Sequence, residues 1–379
     1  MNNLAGIYIH IPFCTKACHY CDFHFSTSLK IKDELILAMV KEVNFRKNYI
    51  GLEKVNTIYF GGGTPSILNK KDLAFILNSI YNNFNISKNV EVTIEINPND
   101  LTSKKINDYA DLNINRFSVG VQSFCDEQLI KLNRSHNSND IIKCINLIKD
   151  AGFTNFSIDL MYGLPEMSIR LWKETLEKAI KLNPTHLSCY CLTIEKKTVF
   201  HKMFLDGSLK IGSDDILKSQ FLLMRKILIS ENFMHYEISN FAKPSYQSRH
   251  NSSYWSGDKY LGIGPSAHSY NGTIRSWNIK NNIKYIKSFD NEKYDFYKEE
   301  LLTDKNKINE YILMGLRTSK GVSKKKIFAM LSEREQLNIN RQIANFERLN
   351  LLLFKDNRYF LSEEGMILCD KITSDLFLV

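Results

Sequence analysis

The sequence predicts an α/β fold. A parallel sheet of βα units is wound as a barrel, a partial barrel or an open doubly wound sheet, and a smaller α+β unit follows it. Three observations carry this. From residue 7 to about residue 269, short apolar runs alternate with longer amphipathic stretches, and parallel strands need crossovers of helix length between them. Residues of unusual chemistry recur just after the apolar runs, where ligands sit in parallel folds. Beyond about residue 287 the chain turns charged and the pattern changes to helices and a hairpin, which sets a domain boundary between 1–290 and 291–379.

The first strand, 7–11, stops at Pro12. Cys14, Cys18 and Cys21 follow in one short loop. Three thiolates at this spacing can converge on one inorganic centre. An iron–sulfur cube held by three cysteines keeps one iron without a protein ligand, free to bind a small molecule. A zinc site is the alternative, with His10, His19 or His24 as the fourth ligand. One face of a buried helix has the same spacing, but Pro12 and the interleaved aromatics oppose it. Three clustered cysteines cannot pair evenly as disulfides.

Strands are expected at 57–60, 90–96, 116–121, 155–161, 186–192 and 235–240. Helices are expected between them at 33–48, 71–83, 103–112, 139–151, 168–182 and 214–231. No G-x-G-x-x-G follows the first strand, which counts against dinucleotide binding. After the second strand, Gly61, Gly62 and Gly63 precede Thr64 and Pro65; such glycines let backbone approach a ligand and present bare N–H groups. The third strand ends at Glu95, a carboxylate suited to a ribose or an ammonium. Gln122 follows the fourth, with Arg134 beyond it. Asp159 lies inside the fifth, where a carboxylate needs a partner, and Arg134 is the partner expected.

The segment 246–255 holds His250 among Arg249, Asn251, Tyr254 and Trp255, and reads as a loop rather than a core element. Imidazole is a common axial ligand of haem iron, aromatic rings offer a flat porphyrin apolar faces, and Arg249 could meet a propionate. A surface or hydrogen-bonded histidine is the plain alternative. A glycine-rich run at 262–264 leads to His268, a second candidate ligand. Toward the C-terminus, helices at 308–319, 323–331 and 337–350, a hairpin at 351–361 and a last helix capped by Ser362 form a winged-helix-like unit. DNA binding would need base-reading arginines on the second helix. Its lysines, 324–326, lie at a helix start, so a lid over the barrel mouth or a docking surface is preferred.

The 379 residues are 44% hydrophobic and 24% charged, ordinary for a soluble globular protein. The net charge of +9 is dispersed among acidic residues, which fits a solvated surface and no nucleic-acid partner. The first residues carry no signal-peptide pattern and no apolar run reaches about 18 residues. No integral membrane segment is therefore expected, and the expected location is the cytoplasm, where thiols stay reduced.

C-x-x-x-C-x-Y-C after a first strand resembles the radical S-adenosylmethionine (SAM) superfamily. The runs YIHIPFC, FGGGTPS, EINP, SVGVQSF, IDLMYGLP and GIGPSAHSY resemble its anaerobic coproporphyrinogen III oxidase family over essentially the whole chain. The resemblance implies a radical SAM partial (β/α) barrel carrying a [4Fe-4S] cluster on Cys14, Cys18 and Cys21, with SAM on the open iron. It implies that Tyr8, Gly62 and Glu95 contact this SAM, while Tyr20, Gly63, Thr64, Gln122, Arg134 and Asp159 line a second SAM or substrate site. His250-Asn251-x-x-Tyr254-Trp255 is similar to the signature of the haem chaperones in the family, whose histidine has been implicated in holding haem. The oxidases carry a fourth cysteine where Phe23 stands, and a longer arm ahead of the cluster. The expected function is therefore a haem chaperone that passes haem to an unidentified acceptor protein, with an electron donor for the cluster. The alternative is an oxygen-independent oxidase that decarboxylates porphyrinogen propionates. A tailoring enzyme on tRNA or peptide would show an extra cluster or a nucleic-acid domain, and neither is visible.

Overall fold

A computed structural model describes residues 4–290 and 293–378. The chain begins β1 (Leu4–Ile11), α1 (Lys32–Phe45), β2 (Lys54–Gly62), α2 (Lys70–Asn83), β3 (Ile86–Ile96) and α3 (Ser103–Asp111). It continues β4 (Arg116–Gln122), α4 (Asp126–Lys131), α5 (Ser138–Asp150), β5 (Phe156–Tyr162), α6 (Ile169–Lys181) and β6 (His186–Cys191). Each strand alternates: one face is apolar under the helices, with Ile7, Ile9 and Ile58 fully buried, and the other carries polar side chains such as Thr57, Ser118 and Ser157. Side-chain caps start several of the helices. Asn69 accepts from the Asp72 amide and Asn137 from that of Asp140, each within a capping box.

Strands β1 to β6 pair in sequence order, all parallel. A doubly wound sheet reverses its strand order at a switch point, and this one does not. The winding is that of a barrel, left open: the edge strands β1 and β6 each take other partners. After α7 (Val199–Leu205) and α8 (Asp214–Ser230), a hairpin of β7 (Met234–Glu237) and β8 (Asn240–Ala242) extends β6 antiparallel. The single strand expected at 235–240 is therefore a hairpin, since the chain turns back at residues 238–239.

On the other edge, past α9 (Arg249–Ser256), β9 (Lys259–Ile263) joins β1 in parallel. Then β10 (His268–Tyr270), β11 (Ile274–Asn278), α10 (Asn282–Asp290) and β12 (Tyr297–Leu301) follow, the strands pairing antiparallel. The boundary expected between 290 and 291 abuts Asn291 and Glu292, which lie outside the described residues. The large sheet runs on to Leu301, and Phe296 is buried in its core. Only the end of the charged run, Lys298, Glu299 and Glu300, lies in the edge strand β12, where charge discourages further pairing.

A second core gathers Ile308, Ile312, Ile339, Ile343 and Ile372. It is built from α11 (Asp304–Leu316), β13 (Val322–Ser323), α12 (Lys324–Phe328), α13 (Glu333–Arg348), β14 (Leu352–Lys355), β15 (Arg358–Leu361), α14 (Glu363–Ile367) and α15 (Cys369–Asp375). The three short strands form one sheet in the order β13-β15-β14. Ser362 accepts from the Gly365 amide as expected of a cap, and the last helix breaks at Leu368. No helix among the described residues is long and apolar enough to cross a membrane.

Buried Glu42 ties α1 to the antiparallel edge. It accepts from the Gly264 amide at 2.8 Å, from Asn278 Nδ2 at 2.8 Å and from the Tyr285 hydroxyl, and pairs with Arg46 at 3.4 Å. Removing one member of a buried ion pair strands the other. Glu42→Ala should cost ~3–5 kcal/mol of unfolding free energy by this argument, read from the urea midpoint. Glu42→Gln should lose less. An unmoved midpoint in Glu42→Ala would show the network to be dispensable.

Candidate functional site

The carboxyl ends of β1 to β6 open into a cavity of about 410 Å³. Cys14, Cys18 and Cys21 line it together, all three as free thiols. So do Tyr20, Gly62, Gly63, Thr64, Glu95 and Gln122, as well as Arg134 and Asp159. Eight of the nine expected cofactor residues thus meet at one rim, far apart in sequence. The ninth, Tyr8, is placed differently. Its hydroxyl donates to His10 Nδ1 at 3.1 Å, and it lines a neighbouring cavity.

The cysteine loop is irregular and is fixed by main chain. Gly63 N donates to Ile11 O at 2.8 Å and Thr64 N to Phe13 O at 2.7 Å. The glycine run therefore does not offer these two N–H groups to a ligand; it spends them on the loop. Gly62 has φ 104°, and a Cβ at Gly63 would lie 2.6 Å from Phe13 O. The histidines beside the cysteines are also engaged. His10 Nε2 donates to His24 O, His19 Nδ1 to Lys131 O and His24 Nε2 to Asn282 Oδ1.

Among the described residues, no three His, Cys, Asp or Glu side chains crowd tightly enough round a point to hold one metal ion. A cube carries its irons at separate corners, so thiols ranged along one cavity suit it. Burial raises the Cys14 thiol and pushes that of Cys21 up to about 12. Such thiols ionise on metal ligation. Arg134 Nη1 donates to Cys18 Sγ at 3.4 Å, the contact a thiolate would strengthen.

Arg134 does not pair with Asp159 as expected. Its other nitrogen, Nη2, donates to Asn97 Oδ1 at 2.7 Å and to Gly120 O at 2.8 Å. Asp159 is satisfied by hydroxyls: Ser118 Oγ and Ser157 Oγ each donate to it at 2.9 Å. Glu95 accepts from the Tyr59 hydroxyl at 2.8 Å. Burial, with the charge of Asp159 adding, pushes the Glu95 carboxyl up to about 8. Gln122 sits at φ 66° beside a bulge in the β4–β5 pairing, a device that re-aims a side chain at a rim. The sequence reading passed over Arg116, Tyr59 and the serines. Their signal was polar residues on strands otherwise apolar.

His250 is not in a loop. It lies in α9, capped by Ser248, and is 1% exposed. Its Nδ1 meets Thr57 Oγ1 at 2.8 Å and its Nε2 the Tyr254 hydroxyl at 2.9 Å. Burial, with Arg116 adding, drives its pKa to about 3. Arg249 is used on the Asn89 carbonyl and Glu91. The loop reading failed because a polar helix over a sheet edge shows little apolar periodicity.

The radical SAM superfamily profile matches residues 8–179, and that of the HemN C-terminal domain residues 302–368. The heme chaperone HemW of Lactococcus lactis is 33% identical over 98% of this chain and 97% of its own. The heme chaperone HemW of Bacillus subtilis is 31% identical over 97% and 98%. Among solved structures, coproporphyrinogen III oxidase (HemN) from Escherichia coli superposes with a TM-score of 0.85 at 22% identity, over 98% of this chain and 90% of that one.

Gly63→Ala leaves every cysteine in place but sets a Cβ against the Phe13 carbonyl. It should sharply lower the iron and sulfide retained after anaerobic reconstitution, as should Cys14→Ser, Cys18→Ser or Cys21→Ser. Full loading in Gly63→Ala would separate the loop's anchorage from cluster binding.

Proposed function

We propose that this chain, which belongs to the radical SAM superfamily and within it to the family of the heme chaperone HemW, binds haem and passes it to an acceptor protein. The reading is carried by similarity to those chaperones along the whole chain, together with Phe23 at the position of the oxidases' fourth cysteine. Cys14, Cys18 and Cys21 would hold a [4Fe-4S] cluster, and the cavity they line fits SAM beside it. A cluster with an open iron supplies coordination and one-electron reduction of SAM when both are bound.

The chain's own residues prepare that cavity. Glu95, held by Tyr59, is apt for a ribose hydroxyl or the SAM ammonium, because an ionised carboxylate accepts charge-assisted bonds. Arg134 orients Cys18 and is close enough to meet a SAM carboxylate at the same rim. Gly62 lies beside Glu95, and Tyr20, Thr64, Gln122 and Asp159 complete the wall. Tyr8 would act through His10 and the loop rather than on SAM directly. His250, as it stands, has both ring nitrogens engaged.

Two measurements test the reading. Reconstituted protein should bind haem and should not turn over coproporphyrinogen III. Turnover without haem uptake would select the oxidase. The second concerns pH. Below about 8 the free Glu95 carboxyl carries a proton, which a ligand that takes the carboxylate must displace. SAM affinity should therefore rise up to about tenfold per pH unit toward pH 8 and level off above it. Glu95→Gln should flatten the profile. A flat profile in the unaltered protein would remove Glu95 from contact with SAM.

A further inference from the structure

A second cavity, of about 590 Å³, adjoins the first and shares Asp22, Phe23, Gly62 and Glu95 with it. Its volume is in the range of small-molecule and cofactor sites. Tyr254, Trp255, Tyr260 and Tyr270 supply aromatic walls. Lys280 supplies a cation, while Arg275 is committed to Glu310 through both terminal nitrogens, at 2.8 and 3.0 Å. Tyr254 and Tyr260 meet edge to face at 4.7 Å. The Trp255 indole N–H and Arg275 Nε are buried without a hydrogen-bond partner among the described residues.

Three histidines line this cavity: His10, His24 and His268. His10 spends both ring nitrogens, on the Tyr8 hydroxyl and the His24 carbonyl. His24 spends Nε2 on Asn282. His268, at the start of β10, is exposed, and its ring nitrogens make no hydrogen bond among the described residues. Trp277 stacks behind it, with ring centroids 6.4 Å apart. Partial burial, with Lys280 and Arg275 adding, lowers its pKa, which favours the neutral imidazole that ligates metal.

Resting on the haem reading above, we infer that haem sits in this second cavity with His268 as its axial ligand and Lys280 toward a propionate. His250 is then a positioning residue. Its Nε2 holds the Tyr254 hydroxyl, so the signature 250–255 builds the porphyrin's aromatic wall rather than its iron ligand. The porphyrin would lie against the residues that also wall the cysteine cavity.

The test is a haem titration of full-length, cluster-reconstituted protein, with the iron–histidine band followed by resonance Raman. His268→Ala should lose that band and weaken binding beyond the ~100-fold typical of losing an outer-shell partner, and added imidazole should restore the band. His250→Ala and Tyr254→Phe should keep the band, each losing about tenfold in affinity, and their effects should not add. Metal-free protoporphyrin should bind His268→Ala as it binds the unaltered protein, and bind Lys280→Ala more weakly. An unchanged band and affinity in His268→Ala overturns the inference alone, as does loss of the band in His250→Ala. Unaltered protein that takes up no haem overturns the parent reading and the inference with it.

Discussion

The end of β2 grips the loop that follows β1 through two main-chain hydrogen bonds, from Gly63 N to Ile11 O and from Thr64 N to Phe13 O. Two more close the loop on itself, from Cys14 N to Ser26 O and from Ser26 N to Pro12 O. Because β1 and β2 are buried parallel neighbours, these bonds anchor the cysteines to the buried centre of the large sheet. The contact tolerates no side chain at Gly63, where a Cβ would strike carbonyl oxygens. His19 adds another anchor, with its amide on Leu132 O and its carbonyl accepting from the Phe200 amide. The loop's form therefore depends on the protein main chain. A metal centre would be received by it rather than required to build it.

A rim so deeply set must carry charge without unpaired carboxylates. Asp159 is surrounded by serine hydroxyls, and Glu95 is held by one tyrosine; burial raises both carboxyls. Hydroxyls can donate to either protonation state after rotating, whereas a fixed guanidinium would commit the acid to its anion. Arg134 is instead directed at Cys18 and at neutral acceptors on Asn97 and Gly120. The acids thus stay responsive to a cationic ligand, and the Arg134 guanidinium answers to the thiol side.

Much of this was legible in the sequence because parallel strands impose a simple grammar. Apolar runs marked β1 to β6, and the residues after each run marked the rim. The failures share a cause: tertiary contacts that no local pattern encodes. The hairpin of β7 and β8 is too short for alternation to separate it from one strand. The helix holding His250 takes its burial from Thr57 and Glu91 on neighbouring strands, so its own composition looks like a loop. The charged stretch before Leu301 resembled a linker because edge strands carry charge for the same reason linkers do. Asp159 seemed to need a cation, since its hydroxyl partners Ser118 and Ser188 lie on the neighbouring strands β4 and β6 and Ser157 on its own.

The two cavities also divide the molecule by architecture. The first belongs to the consecutively wound parallel strands. The second lies between β1, the added strands β9 to β11, the helix α9 and the helix α11, which contributes Met314. Arg317 secures that arrangement, pairing with Glu237 at 3.1 Å while lying over the Trp255 ring at 5.2 Å. Phe23 stands where the two meet, 65% exposed and lining both. Large exposed aromatics mark binding surfaces more readily than cores. A cysteine there would serve the metal side alone. A phenyl ring serves both sides, giving the cysteine cavity an apolar lip and the aromatic cavity a further face. On the proposed reading, that one side chain turns the rim from a purely metal-binding edge into a wall shared by two ligands.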